Sequence, residues 1–325
     1  MGGLVGTMST PSARPSPLRR AWIYQSERFP VFGHGPLILC FSLSAMAFSA
    51  LLHDDAAALF ADPRWMPAAT TAFVTCFLFF LQLRIADEFK DYEEDRRYRP
   101  YRPVPRGLVS LRELGAVFVL AAAGQLALAL WLEPRLVVVL AVAWAYLALM
   151  SREFFVREWL VARPITYLWT HMLIMPLVDL YATACHWLVR DFPVSPGLKW
   201  FLAASFFNGL VIEIGRKLRA PADEEEGVPT YTRLWGVRRA PWVWWGALAA
   251  TAATGAMAAR DIGFLPPVAA AAGTALVLAA ILASRFVRSP GPGSGKRFEL
   301  FAGLWTIALY LVLGIVPFVI ETFRG

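Results

Sequence analysis

The chain is poor in charge, has fewer acids than bases, and has almost no cysteine. Only 17% of its 325 residues are Asp, Glu, Lys or Arg, well below the quarter or so usual in soluble domains. The three cysteines, Cys40, Cys76 and Cys185, form neither a C-x-x-C pair nor a Cys/His spacing, which excludes a zinc site and a disulfide framework. Ten-residue segments of alternating hydrophobicity are missing too, so a membrane β-barrel is excluded. The opening stretch MGGLVGTMSTPSARPSPLRR lacks an apolar core followed by a small-residue cleavage site, so no secretory leader is expected there. Position 6 is Gly rather than Ser or Thr, which argues against an N-terminal myristoyl anchor.

Apolar residues fill the space that charge leaves. They make up 58% of the chain, and the mean hydropathy is +0.51. Long apolar runs recur at 31–52, 66–86, 111–132, 136–151, 164–186, 198–215, 240–259, 264–284 and 299–320, most of them long enough to cross a hydrocarbon core of about 30 Å. In lipid the backbone must satisfy its own hydrogen bonds, so these runs are expected to be helices. The expected fold is all-α, an integral membrane bundle of about nine helices. Residues 1–30 are expected to be a disordered tail, and 31–325 a single transmembrane domain.

The net charge of +7 is unevenly placed. Of the 31 Lys and Arg residues, 25 fall in the N-terminal segment and in 84–112, 151–163, 216–239 and 285–297. By the positive-inside rule these segments share the cytoplasmic face. The basic excess thus reports topology and anionic lipid headgroups, with no nucleic acid expected as a partner.

Two of those segments are rich in acids. The first reads Asp87-Glu88-Phe89-Lys90-Asp91-Tyr92-Glu93-Glu94-Asp95. A spacing of four on a continuing helix sets Asp87, Asp91 and Asp95 along one face, each about 40° around from the last. Three such carboxylates repel one another unless a cation lies among them, and Mg²⁺ suits them, since it takes one or two carboxylates plus water and phosphate oxygens. A solvated acidic helix end is the plainer reading of the same run. Seven residues past Asp95 comes Arg102-Pro103-Val104-Pro105-Arg106-Gly107, a stiff turn that would hold Arg99, Arg102 and Arg106 near the acids, with guanidinium forks suited to phosphate.

An acidic triad spaced by four, followed by R-P-x-P-x-G and a helix, resembles the first signature of the UbiA superfamily of membrane prenyltransferases. The family usually has Asn-Asp where this chain has Asp87-Glu88. Its second signature, D-x-x-D then G-D-x-x-x-G and a Ser or Thr, is met only in part. Glu213 takes the first acidic place, Arg216 replaces the next aspartate, and about three extra residues precede Asp223; Gly227, Thr230 and Gly236 then return to register. The resemblance implies a Mg²⁺-dependent enzyme acting on a prenyl diphosphate, with membrane lipids around it and an aromatic or lipid acceptor. It implies Asp87, Glu88, Asp91 and Asp95 at one magnesium, Glu213 and Asp223 at a second, and Asp91, Asp95 and Glu213 as the catalytic set. Arg99, Arg102, Arg216, Lys217 and Arg219 would then grip diphosphate, with guanidinium contacts replacing part of the metal grip. As residues alone, Arg216 to Arg219 read equally as positive-inside charges.

Tyr146 and Arg152 or Arg157 stand near where the family places a Tyr and a Lys for the diphosphate, although membrane-edge pairing with Glu153 and Glu158 accounts for the same charges. Asn208 is expected to face the pocket, His171 to be a hydrogen-bonded bundle residue, and Asp179 to lie away from the acidic loops. Other readings of the whole chain are a membrane terpene cyclase, which shares the ionisation step, and a transporter, whose ionisable residues would cluster at mid-membrane instead.

Overall fold

The computed structural model describes residues 15–324. Helices begin at each expected run, for reasons visible in the sequence. The helix Leu111–Leu132 (α6) opens on a capping box, in which Ser110 Oγ accepts from the Glu113 N–H at 3.2 Å and the Glu113 carboxylate accepts from the Ser110 N–H at 2.8 Å. Pro164 starts α9 (Pro164–Met172), where its missing N–H costs nothing. In chain order the other helices are α1 (Pro17–Arg28), α2 (Val31–Leu51), α3 (Ala56–Ala61), α4 (Trp65–Lys90), α5 (Tyr92–Tyr98), α7 (Leu136–Ser151), α8 (Arg157–Val161), α10 (Ile174–Trp187), α11 (Leu198–Arg216), α12 (Tyr231–Trp235), α13 (Ala240–Asp261), α14 (Leu265–Arg288), α15 (Lys296–Tyr310) and α16 (Val316–Arg324). A five-residue π turn, Leu311–Ile315, joins the last two.

Among the described residues, seven spans are long and apolar enough to cross a membrane: α2, α4, α6, α9 with α10, α11, α14, and α15 through α16. Of the nine runs expected to span, α7 is apolar but only 16 residues long, and the 22-residue α13 is less apolar. The span of α9 and α10 lies at the centre: α10 packs on α2, α4, α7 and α11. It is 56% buried against protein, whereas α14 is only 17% buried and so offers its surface to lipid. Close helix approach uses small residues, as is usual without water to drive association. A side chain at Gly215 of α11 would press the Phe298 carbonyl and the Trp244 indole, each 3.1 Å away.

The expected disordered tail needs correction. Residues 1–14 lie outside the described residues, but 17–28 form α1, capped by Ser16, whose hydroxyl accepts from the Arg19 N–H. This helix is docked. Tyr24 is buried with Ile85, Val104, Val109 and Leu114, Arg20 pairs with Glu113 at 2.7 Å, and Glu27 with Arg106 at 2.8 Å. A polar sequence hides such a helix, because its stability comes from partners about 60–90 residues away.

At the end of the bundle opposite the acidic loops, Arg190 donates to both oxygens of buried Asp55 at 2.8 Å and to Asp62 at 2.6 Å. His186 meets the same Asp55 at 3.1 Å and Ser49 at 2.9 Å. The ion pairs staple the α2–α4 connection to the end of α10.

Candidate active site

The first acidic run lies where α4 gives way to α5. Asp91 caps α4 with non-helical angles (φ −94°, ψ 7°), but the i to i−4 hydrogen bonds carry through, at 2.9 Å onto the Asp87 carbonyl and 2.8 Å onto that of Asp91. The spacing by four therefore survives, while the four acids expected at the metal, Asp87, Glu88, Asp91 and Asp95, meet different partners. Glu88 is buried and accepts from Arg28 of α1 at 2.5 Å. Asp95 is buried between Arg102 at 2.6 Å and Arg99 at 3.1 Å. Asp87 has looser cationic neighbours, Arg84 and Lys90, each at 3.6 Å. Asp91 makes no ion pair among the described residues. Burial pushes its carboxyl up, Lys90 opposes that, and the charges of Asp87, Asp95 and Glu94 push it further.

The second acidic segment begins at the end of α11. Glu213, one turn from the helix end, is buried and clamped by Arg216 at 2.5 Å and Lys217 at 2.8 Å. Asp223, in the turn Pro221–Asp223, accepts from the Gly293 backbone N–H at 2.7 Å. The glycine-rich stretch before α15 thus receives Asp223, which sits apart from Glu213's cations. Glu224, unremarked in the sequence, organises the loop: it accepts from the hydroxyls of Thr230 and Thr232 at 2.7 Å and pairs with Arg233 at 3.1 Å. Thr230 in turn caps α12. Gly227 (φ +71°) lays this loop on the Tyr98 ring so closely that a Cβ there would come within 2.5 Å. Beside that contact is an open hollow of about 780 Å³, lined by Tyr98, Gly227 and the charged face of α5. It includes none of Asp87, Asp91 or Glu213, so it is a seam between loops rather than a chamber for chemistry.

The two segments meet across the bundle. Arg216 lies within electrostatic reach of Asp87, and Arg84 within reach of Arg216. Tyr231, which follows the second loop, senses both Glu213 and Tyr167, and burial together with the Glu213 charge raises its phenol. Lys90 donates to the Tyr167 hydroxyl at 2.9 Å, which donates to Glu153 at 2.9 Å, and His171 Nε2 lies 3.1 Å from the same carboxylate. Burial opposes the charge on Glu153, but His171, Lys90 and Tyr167 outweigh it and hold the carboxyl below its ordinary range.

Several expected site residues stand elsewhere. Tyr146 donates to the Thr170 carbonyl at 2.6 Å, and Asn208 and Thr306 bond reciprocally in the core between α11 and α15. Arg152 is exposed, because the chain after it turns left-handed and sends Glu153 inward in its place. Arg157 reaches Glu94 at 3.4 Å in solvent. Arg106 is engaged with α1, and Arg219 makes no ion pair among the described residues. Asp179 is buried with Tyr310, whose hydroxyl donates to it at 2.6 Å. Lys90, Tyr167, Glu153 and Arg84 were not singled out as ligands in the sequence. The sole hint was a lysine inside the acidic run.

For a metal the two segments differ. Among the described residues no group of three or more His, Cys, Asp or Glu side chains is gathered closely enough to cage an ion. Asp87 and Asp91, one turn apart with Asp91 unpaired, suit a Mg²⁺ that takes one or two carboxylates and completes its shell with phosphate and water. Glu213 does not suit a second ion, since two cations already cover its oxygens and Asp223 is bonded to another loop.

No curated protein matches the chain. Among solved structures it is similar to one from work on digeranylgeranylglyceryl phosphate synthase in membranes, at 12% identity and TM-score 0.59, covering 94% of this chain and 100% of that one. It is also similar to the apo structure of a UbiA homologue from Aeropyrum pernix K1, at 13% identity and TM-score 0.59, covering 86% and 98%. At such identities the likeness is one of fold. The sequence itself matches the model of the UbiA prenyltransferase family over residues 47–307, most of the membrane-embedded chain, and the protein belongs to that family.

Proposed function

We propose that this protein ionises a prenyl diphosphate at the loop-bearing end of the bundle and passes the prenyl group to an aromatic or lipid acceptor. The observation that carries this reading is the convergence of the α4 acids with cations from two segments, Arg84 and Lys90 on α4 and Arg216 at the end of α11. Breaking an allylic C–O bond leaves a cation on carbon and more negative charge on diphosphate, so the site must hold charge of both signs a short distance apart. A single Mg²⁺ on Asp87 and Asp91 would supply Lewis-acid neutralisation of the leaving diphosphate. Arg84 and Lys90 flank those carboxylates and take phosphate oxygens the metal leaves free. Arg216 and Lys217 exchange Glu213 for phosphate, supplying by guanidinium and ammonium what a second acidic pair supplies where it is present. Asp95, held by Arg99 and Arg102, fixes the α5 turn rather than binding metal. The lysine and arginine bias supports a cytoplasmic position for this end.

The test is incubation of the purified protein with geranylgeranyl diphosphate, with and without Mg²⁺ and a membrane lipid extract, measuring diphosphate release. Release that requires Mg²⁺ and the extract, and drops about 100-fold or more in Asp91→Ala, is expected. Cyclic hydrocarbon formed without the extract would make the protein a cyclase instead. No release under any condition would sink the enzymatic reading.

A further inference from the structure

The helix α1 has two faces, and only one of them is taken up by protein. Arg20, Tyr24, Glu27 and Arg28, spaced by four and three, share one face. Tyr24 is buried with Ile85 and Leu114. Arg28 meets Glu88 at 2.5 Å, Glu27 meets Arg106 at 2.8 Å, and Arg20 reaches Glu113 at 2.7 Å and the Leu108 carbonyl at 3.1 Å. Leu18, Trp22 and Ser26, spaced by four, fall on the opposite face. Leu18 is 84% exposed and Trp22 59%, with the exposed Arg19 beside them.

The height of α1 along the bundle says what meets that second face. Tyr24 packs on Ile85, inside the span α4 rather than past its end. Phe29, the residue after the helix, sets its ring 5.2 Å from that of Phe77, deeper in the same span. The helix therefore lies against the side of the bundle near its loop-bearing end, not across the top. Its exposed face also runs on into a membrane span: Trp22 lies 6.3 Å from the ring of Phe32, which is 79% exposed in the first turn of α2. Aromatic and aliphatic side chains beside an arginine, at the level where a span ends, settle in the headgroup zone of a bilayer.

We propose that α1 is an interfacial helix: Leu18, Trp22 and Phe32 enter the lipid leaflet on the loop-bearing side, and the opposite face of the same helix holds the first acidic segment in place. This goes beyond the prenyl-diphosphate reading and does not depend on it. Three charged contacts do the holding, at separate points of one region. Arg28 takes Glu88 in the acidic run, and their side chains are only 12% and 1% exposed, so removing one partner strands the other's charge. Glu27 takes Arg106 of the stiff turn, whose guanidinium also donates to the Tyr101 carbonyl at 2.8 Å. Arg20 takes Glu113, the acid of the α6 capping box. A helix seated in lipid thus ties down the end of α4, the turn and the start of α6 together.

The test places a label on the outer face without touching Leu18 or Trp22. The full-length protein carries Ser26→Cys, bearing an environment-sensitive fluorophore, and Cys40→Ser, which leaves only the buried Cys76 and Cys185. It is reconstituted in nanodiscs of phosphatidylcholine and phosphatidylglycerol. Lipid with a nitroxide near its glycerol end is expected to quench the label by about half or more, and aqueous iodide only weakly, as for a helix buried about 5–10 Å into the interface. In Leu18→Asp with Trp22→Asp the two quenchers are expected to exchange roles. Hydrogen exchange of residues 99–110, read on the same samples, is expected to run about tenfold faster in that double variant. Arg28→Gln is expected to speed the same amides while its label stays quenched by lipid.

A label on the unaltered helix that iodide reaches and lipid nitroxide does not would overturn the proposal, whatever the variants do. So would energy transfer between differently labelled copies with no lipid quenching, since a second copy would then cover the face. Lipid contact with exchange of 99–110 unchanged in both the double variant and Arg28→Gln would overturn the holding role. Diphosphate release enters none of these measurements, so their failure leaves the prenyl-diphosphate reading where it stands.

Discussion

Asp91 carries the most telling charge in the molecule, because of Asp87, Glu88, Asp91 and Asp95 it alone makes no ion pair among the described residues. Its carboxyl is raised by burial and by three neighbouring acids, so the folded state binds that proton more tightly than the unfolded chain does. The penalty is absent below the ordinary carboxylate value of about 3.9 and grows as pH rises from there through the raised folded value. Without divalent metal, Asp91→Asn should therefore melt higher than the unaltered protein at neutral pH, and the gap should close as pH falls toward about 4. Mg²⁺ with pyrophosphate should shrink it too. A gap independent of pH would mean that crowding by charge is not what unsettles this position. The identities of Asp87, Asp91 and Asp95 were legible in the sequence, but their inequality was not. Spacing by four says which residues share a face, whereas Arg28, Arg99 and Arg102 decide which of the acids are already neutralised.

At the scale of elements, the helices were readable and the segments between them only partly so. A run of apolar residues must be helical in lipid whatever its neighbours, so α4, α6 and α11 begin within a residue of where the sequence sets them. The connections answer to distant partners. The helix α1 is polar on average and is docked by distant partners, and the left-handed turn at Glu153 leaves no mark that a period of 3.6 or 2 would reveal. Glycine spacing in the second loop was legible, and the structure gives its reason at Gly227, which has a positive φ and lies against the Tyr98 ring. Gly227→Ala should lift that loop off α5 and lower diphosphate-releasing activity by about tenfold or more, since small misplacements of binding groups are costly. Combined with Tyr98→Ala, which opens the space, part of the loss should return, leaving the cost of the positive φ. No recovery in the double variant would show that the ring contact is not what fixes the loop.

Taken whole, the molecule is held differently at its two ends. The end without the acidic loops is stapled by Asp55, Asp62 and Arg190, with Asp55 buried. Asp55→Asn leaves a guanidinium short of one of its two counter-charges and should cost roughly 3 kcal/mol of stability. The Mg²⁺ dependence proposed above should be untouched, as thermal unfolding and initial rates would show. A changed metal requirement would mean that the two ends are coupled. The loop-bearing end is closed by contacts of another kind: Glu213 on flexible Arg216 and Lys217, Gly227 on a ring, Asp223 on one backbone N–H.

The staple at Arg190 has a further consequence, which concerns motion. With the α2–α4 connection fixed to the end of α10 at one end, the helices behave like the pages of a book bound at the spine. They should fan only from the free edge, and any widening to admit the prenyl chain proposed above should begin where the charges are and fade toward the binding.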